Sequence, residues 1–269
     1  MDRCRIAVLG CSGRMGQMLV REIVASADCT LTAATEGSGN AALGKDAGVL
    51  ARLDPVGVHV IEGAYAAAQA ADVLIDFTVP TASVAHAAVA AETGKALVLG
   101  TTGLDEAQTA AVHQAATKAP ILWAPNMSMG VNLLFTVTEQ IARTLDDEWD
   151  VDIFEMHHKH KVDAPSGTAL GFGRAAARGR GVDLDKVADR GRDGISGARR
   201  QGDIGFAVLR GGNVAGEHTV VFATEDERVE LTHKAGSRAI FARGAVRAAC
   251  WIAGKTAGLY GMADVLGMD

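Results

Sequence analysis

The chain has 269 residues, a net charge of -6 and a sequence pI near 5.8. That balance provides no broad cationic field, so nucleic acid and anionic membrane surfaces are poor partners. Hydrophobic content of 48% with only 4% aromatics fits a parallel α/β chain better than an all-β sandwich, and the length allows two modest domains, each with its own core.

The opening MDRCRIAVLGCSG runs directly into a strand and a glycine turn, leaving no room for a secretory or transit segment. No apolar run reaches membrane-spanning length. Cys4, Cys11, Cys29 and Cys250 lie far apart with no CxxC spacing, which reads as reduced thiols filling structure in a cytoplasmic protein. A helical pattern follows from Met15 to about Ala27. Strands are predicted at CTLTAAT, VLIDFT (Val73–Thr78), KALVLG (Lys95–Gly100) and APILWAP, separated by alanine-rich helical stretches such as Thr81–Thr93. This alternation implies right-handed crossovers and a parallel sheet.

After Asn126 the texture changes. A helical stretch spans about Gly130–Leu145, and VDIFEM then alternates apolar and polar residues as a half-exposed strand does. FAVLRGGN, EHTVVFAT and RVELTHKA read as three further strands of antiparallel character. Arg178–Gly202, rich in Gly, Arg and Asp, reads as a long surface loop, and Ser237–Gly258 as a closing helix.

GCSGRMG, from Gly10 to Gly16, sits between a strand and a helix with Gly-x-x-Gly-x-x-Gly spacing. Gly10 permits a tight turn, Gly13 a close approach of a pyrophosphate to the backbone, and Gly16 close helix packing. The helix N-terminus adds unpaired N–H groups. Twenty residues beyond Gly16, Glu36 is placed to accept hydrogen bonds from an adenosine ribose. A plain glycine turn with an unrelated surface glutamate is the bland alternative. Phe77-Thr78 and the Gly100–Gly103 turn fall at further strand ends, where a doubly wound sheet binds its ligand, although ordinary turn chemistry explains them equally well.

Glu155–Leu170 reads EMHHKHKVDAPSGTAL. A strand delivers His157 and His158, Pro165 keeps Ala164 out of helix, and Ser166-Gly167-Thr168 opens a new helix. With Lys161, the segment offers an imidazole, an ammonium and a helix N-terminus, a set able to hold an anion and move a proton. Zinc is the rival reading of His157, His158 and His160. Neighbouring residues of an extended segment point to opposite sides, however, and the i, i+4 pair of helical zinc sites is absent. A solvated charged loop ahead of a capped helix is the third reading.

Taken together, GCSGRMG, IDFT, GTTG, APN, EMHHKHKVDAPSGTAL, IGFAVLRGGNVAGEHTVVF and HKAGSR resemble the 4-hydroxy-tetrahydrodipicolinate reductase (dihydrodipicolinate reductase) family over nearly the whole chain. The resemblance implies a Rossmann-like dinucleotide-binding domain over 1–126 with 237–269, and a mixed α+β substrate-binding and oligomerisation domain over 127–236. It implies His157 as proton donor and Lys161 as its catalytic partner, with His158, Gly167 and Thr168 binding a small dicarboxylate substrate and no metal. Gly10, Cys11, Ser12, Gly13, Arg14, Met15, Gly16, Glu36, Gly100, Thr101, Thr102, Ala124, Pro125, Asn126 and Met127 fall on the family's cofactor positions. It also implies a homotetramer built through the second domain's sheets. Two positions depart from common family patterns: Met127 replaces a frequent Phe, and Gly37 a frequent Arg after the ribose-binding acid. Glu36 repels a 2′-phosphate and Gly37 offers no cation, so NADH is the expected cofactor, with NADPH admitted if Arg14 or Lys45 reaches the phosphate.

Overall fold

The computed structural model describes residues 3–268, which form two compact units. One runs through Ser128 and resumes over Ala239–Gly267; the other is Met129–Arg238.

The first unit begins with β1 (Cys4–Leu9), α1 (Arg14–Ala25), β2 (Cys29–Glu36), α2 (Ala47–Leu50), β3 (Val60–Glu62) and α3 (Ala64–Ala70). It continues with β4 (Val73–Asp76), α4 (Pro80–Thr93), β5 (Ala96–Leu99), α5 (Glu106–Ala116) and β6 (Pro120–Trp123). In the second unit follow α6 (Met129–Thr144), β7 (Asp150–His157), α7 (Gly167–Arg180), α8 (Leu184–Val187), β8 (Ala188–Asp189), β9 (Ile204–Arg210), β10 (Glu217–Ala223) and β11 (Arg228–Lys234). The chain then adds α9 (Ala239–Ile252), β12 (Gly258–Tyr260) and α10 (Met262–Leu266) to the first unit.

The first sheet has the order β12-β6-β5-β4-β1-β2-β3, and every pairing in it is parallel. Helices on both faces explain why β4 and β5 are buried at every residue, as their unbroken apolar runs require. Helix limits follow local chemistry. Pro80 occupies the first turn of α4 and left-handed Gly94 ends it, while Asp105 and Gln108 form a reciprocal capping box on α5. Because β1 lies between β4 and β2, strand order reverses there, and the crevice beyond the C-terminal ends of β1 and β4 is the ligand position of such sheets.

The second sheet has the order β11-β10-β7-β9-β8. Its inner face, with Ile153, Val220, Phe222 and Ile204, packs on Phe172 and Ala176 of α7. The pairs β10–β11 and β10–β7 are antiparallel, but β9 runs parallel to β7 and to β8, which corrects the uniformly antiparallel expectation. Helix α7 forms a crossover between β7 and β9, and such a connection demands parallel pairing. The segment 178–202 also departs from its reading as one long loop. Arg178–Arg180 complete α7, and α8 and β8 take the next stretch, Ala188-Asp189 pairing with the start of β9. All four thiols are free, as the cysteine reading expects, and in the fold Cys4 and Cys29 become register partners on β1 and β2 with Cys250 beside both.

Candidate active site

In the first unit, the turn after β1 is closed by backbone. The N–H groups of Gly10 and Cys11 donate to the Thr35 carbonyl at 3.0 and 3.1 Å, tying the turn to β2. Gly10 has a left-handed φ of +71, and a Cβ there would lie 2.6 Å from Thr78 Cγ2. A Cβ on Gly16 would lie 2.2 Å from the Gly10 carbonyl oxygen, so α1 can start where it does only with glycine at this position. Gly13 caps α1 without a side-chain hydrogen bond, and the first turn of α1 has no acidic residue. Its N–H groups therefore suit an anionic pyrophosphate.

Glu36 ends β2 beside this turn, its Oε1 accepting from Ser12 N at 2.7 Å and its Oε2 from Asn40 Nδ2 at 3.1 Å. Gly37 has nothing within 4 Å of where a Cβ would stand. At the end of β4, buried Asp76 accepts from Thr78 N and Thr78 Oγ1 at 2.7 and 2.6 Å, and its other oxygen meets His86 Nδ1 at 2.8 Å. Burial alone would raise this carboxyl; the His86 and Thr78 hydrogen bonds outweigh it and hold Asp76 below the usual range. Phe77 packs on Gly100, where a Cβ would come within 2.1 Å of the ring. Thr101 is held by Ser83 Oγ at 2.8 Å, and its carbonyl accepts from Trp123 Nε1 at 3.2 Å. Ser12, Gly13, Arg14, Gly100, Thr102, Pro125 and Asn126 are at least partly accessible, whereas Cys11 and Met127 are 1% exposed and Ala124 4%. The Met127 carbonyl packs where a Gly244 side chain would otherwise lie, so this residue fills core. These residues fit a dinucleotide: a glycine-rich turn opening a helix for phosphates and a carboxylate beside it for a ribose.

In the second unit, strand alternation puts Val151, Ile153, Glu155 and His157 on the inner face of β7. Glu155 Oε2 meets His157 Nδ1 at 2.5 Å. Arg210, the register partner of His157 on β9, grips Glu155 with two bonds of 2.8 and 3.0 Å, and Ser166 N donates to Glu155 Oε1 at 2.9 Å. Burial alone would raise the Glu155 carboxyl; the bonds from Arg210, His157 and Ser166 reverse this and hold it ionised, below the ordinary range.

His218 on β10 stacks edge-on against His157 with ring centroids 5.0 Å apart, and its Nε2 lies 3.1 Å from Ser166 Oγ. Burial, then the neighbouring His157, pushes His218 down to about 3, so it is neutral at any physiological pH. Ser166 Oγ also caps α7 by accepting from Ala169 N at 3.1 Å. Gly167 and Thr168 begin that helix at accessible positions. His158 turns to the other side of the strand end, where its Nε2 lies 2.9 Å from Arg238 Nη2. Desolvation, then the Arg238 guanidinium, lowers its affinity for a proton. The Lys161 ammonium pairs with Asp163 Oδ1 at 2.8 Å rather than with an imidazole.

Two family models match the chain: dihydrodipicolinate reductase, N-terminus, over residues 4–127, and dihydrodipicolinate reductase, C-terminus, over residues 130–266. The chain belongs to the dihydrodipicolinate reductase family.

It is 52% identical over 268 residues to the 4-hydroxy-tetrahydrodipicolinate reductase of Rhodopseudomonas palustris, covering 100% of this chain and 98% of that protein. The enzyme of the same name from Parvibaculum lavamentivorans is 53% identical, covering 98% of each chain. A dipicolinate-bound dihydrodipicolinate reductase from Paenisporosarcina sp. TG-14 shares the fold, with a TM-score of 0.76 at 24% identity over 97% of this chain and 98% of that one.

The site contains more than the motifs disclosed. Glu155, Arg210, Ser166 and His218 gather about His157, yet only two carried a local signal: Ser166 as the opening of a helix, and Glu155 standing two residues before His157 on a strand of period two. Among the described residues no helix is long and apolar enough to cross a membrane, and no group of three or more His, Cys, Asp or Glu side chains is arranged to hold a metal ion.

Proposed function

We propose that His157 is the proton donor in the reduction of 4-hydroxy-tetrahydrodipicolinate, by way of dihydrodipicolinate, to tetrahydrodipicolinate, a step of lysine and diaminopimelate biosynthesis. Reduced nicotinamide cofactor supplies the hydride. The first unit cradles the cofactor through Gly10–Gly16, Glu36, Gly100–Thr102 and the Ala124–Asn126 stretch. The second unit holds the substrate: the N–H groups of Gly167 and Thr168 receive a carboxylate at the opening of α7, while His158 and Lys161 add polar contacts. Hydride and proton together saturate one double bond, and His157 gives its proton to the carbon or nitrogen left electron-rich by the hydride. The observation that carries this reading is the buried Glu155–His157 pair, 2.5 Å apart, on the strand that leads into the Lys161 loop and α7. The direct test supplies the condensation product of aspartate-semialdehyde and pyruvate and follows oxidation of the reduced cofactor. Folded protein that consumes none above background overturns it.

NADH is the preferred cofactor in this reading. Glu36 suits ribose hydroxyls and repels a 2′-phosphate of about -2 charge, and Gly37 itself brings no cation, its side-chain position having nothing within 4 Å. A charge-assisted contact contributes roughly 1.5–3 kcal/mol, so NADPH should be used about ten- to a hundredfold less efficiently. Gly37→Arg, for which the open space leaves room, should improve kcat/KM with NADPH. Equal or better wild-type efficiency with NADPH contradicts this preference.

The outward face of the second sheet supports assembly into a homotetramer. Phe154 is 43% exposed and Leu209 54%, on neighbouring strands β7 and β9. An exposed apolar sheet face of this kind suits cover by another copy. Light scattering of Phe154→Glu should report a smaller species than wild type. The free thiols accord with a cytoplasmic location.

A further inference from the structure

We propose that Glu155 is the positioning residue of the proton donor: anchored by Arg210 and the Ser166 N–H, it holds His157 with Nδ1–H turned inward and leaves Nε2 as the nitrogen that delivers the proton. The proposal rests on His157 being that donor.

Three observations carry it. First, Glu155 has no freedom to act elsewhere. It is 1% exposed, with Oε1 bonded to Arg210 Nη2 and Ser166 N, and Oε2 to Arg210 Nη1 and His157 Nδ1. Arg210 is itself fixed, donating to the carbonyls of Leu209 and Asp163 at 2.7 Å each. A carboxylate so restrained accepts only from Nδ1–H, and this selects the tautomer of the neutral ring.

Second, the opposite ring nitrogen is kept clear. Gly216, at φ +150, lies where a side chain would come within 2.9 Å of His157 Nε2. No other residue type adopts that backbone without strain. Third, the neighbouring imidazole does not compete for the charge. His218 faces Ser166 Oγ and has no carboxylate partner, and burial keeps it neutral. Among the described residues, the charged and titratable groups around the His157 ring are Glu155 on its own strand, His158 just beyond the strand's end, Arg210 from β9, His218 from β10 and Lys161 from the following loop. Of these only Glu155 is an anion. When Nε2–H passes its proton to the substrate, the N–H electron pair stays on the ring, and the neutral Nδ1–H tautomer that results is the one Glu155 already holds. Solvent then restores the proton at Nε2.

Nitrogen NMR of the wild-type protein tests the tautomer directly. The neutral His157 ring, assigned through its loss in His157→Gln, should carry its proton on Nδ1; a proton on Nε2 overturns the proposal. Kinetics test the consequence. In Glu155→Gln the imidazolium loses its anion, so the alkaline fall of kcat/KM should move to lower pH. At neutral pH kcat should drop about ten- to a hundredfold, as when the partner of a functional imidazole is removed, with cofactor affinity unchanged. Glu155→Asp, which keeps the charge, should return the limb toward wild type. If Glu155→Gln does not fold because Arg210 is left unpaired, Glu155→Gln with Arg210→Met removes both buried charges and carries the same readout. A folded variant with the wild-type pH profile and turnover overturns the positioning role. Turnover retained in His157→Gln would instead overturn the donor assignment, so the two failures are distinguishable.

Discussion

The chain builds two strand–turn–helix junctions for two different tasks. At β1–α1 the surface proposed to work is backbone: Gly10, Gly13 and Gly16 clear the turn at three positions, the helix has no side-chain cap, and its first turn has no acidic residue. At β7–α7 the helix is capped by Ser166 and the strand end carries Glu155, His157 and His158. The difference follows from the chemistry. An anion can be held by fixed N–H dipoles, which any sequence with room can present. A proton must come from a side chain whose tautomer and charge are set by other side chains.

The largest effects should separate the junctions by kinetics. His157→Gln and Lys161→Ala should each lower turnover about 10²- to 10⁴-fold while leaving cofactor affinity nearly intact. Turnover near wild type in both variants would reduce the second junction to a solvated loop. Gly16→Ala attacks the first junction. Its Cβ would meet the Gly10 carbonyl at 2.2 Å and the Cys11 backbone at 2.6 Å, none of it a flexible side-chain end. Overpacking of this kind costs typically 1–3 kcal/mol or more, so the melting temperature and cofactor affinity should both fall. An unchanged cofactor Kd would break the claim that the turn is the phosphate cradle.

A smaller effect belongs to the second junction alone and appears with pH. The native state keeps His218 neutral down to about 3, whereas the unfolded chain protonates it near 6.5. The unfolded state therefore binds more protons as pH falls below 6.5, and stability drops by up to about 1.4 kcal/mol per pH unit from this group. His218→Gln should lose less stability than wild type between about pH 7 and 5 in denaturant melts; parallel losses would show that His218 is not the group responsible. Smallest is Ser166→Ala, which removes the cap bond to Ala169 N and the contact with His218. A cost of about 0.5–2 kcal/mol is expected, read from chemical denaturation.

The two junctions were not equally legible. Gly10, Gly13, Gly16 and the strand and helix around them lie within a few residues of one another, so their spacing in that setting revealed the turn, while the alternation of strands and helices predicted a parallel sheet. Local chemistry likewise announced the opening of α7 at Ser166. The alternation of VDIFEM set the inner face of β7, and with it Glu155 beside His157, although no partner for Glu155 was visible. Arg210 stands 55 residues from Glu155 and His218 52 residues from Ser166. Only strand register brings them in: β9 passes alongside β7 in parallel because α7 crosses between them, and β10 closes the other side antiparallel. The same reason hid the meeting of Cys4, Cys29 and Cys250, and the return of β12 to the edge of the first sheet. Periodicity and turn chemistry act over a few residues and are written in the sequence. The neighbours of a buried charge are chosen by strand pairing across the whole chain, so the tertiary structure alone decided which side chains hold His157.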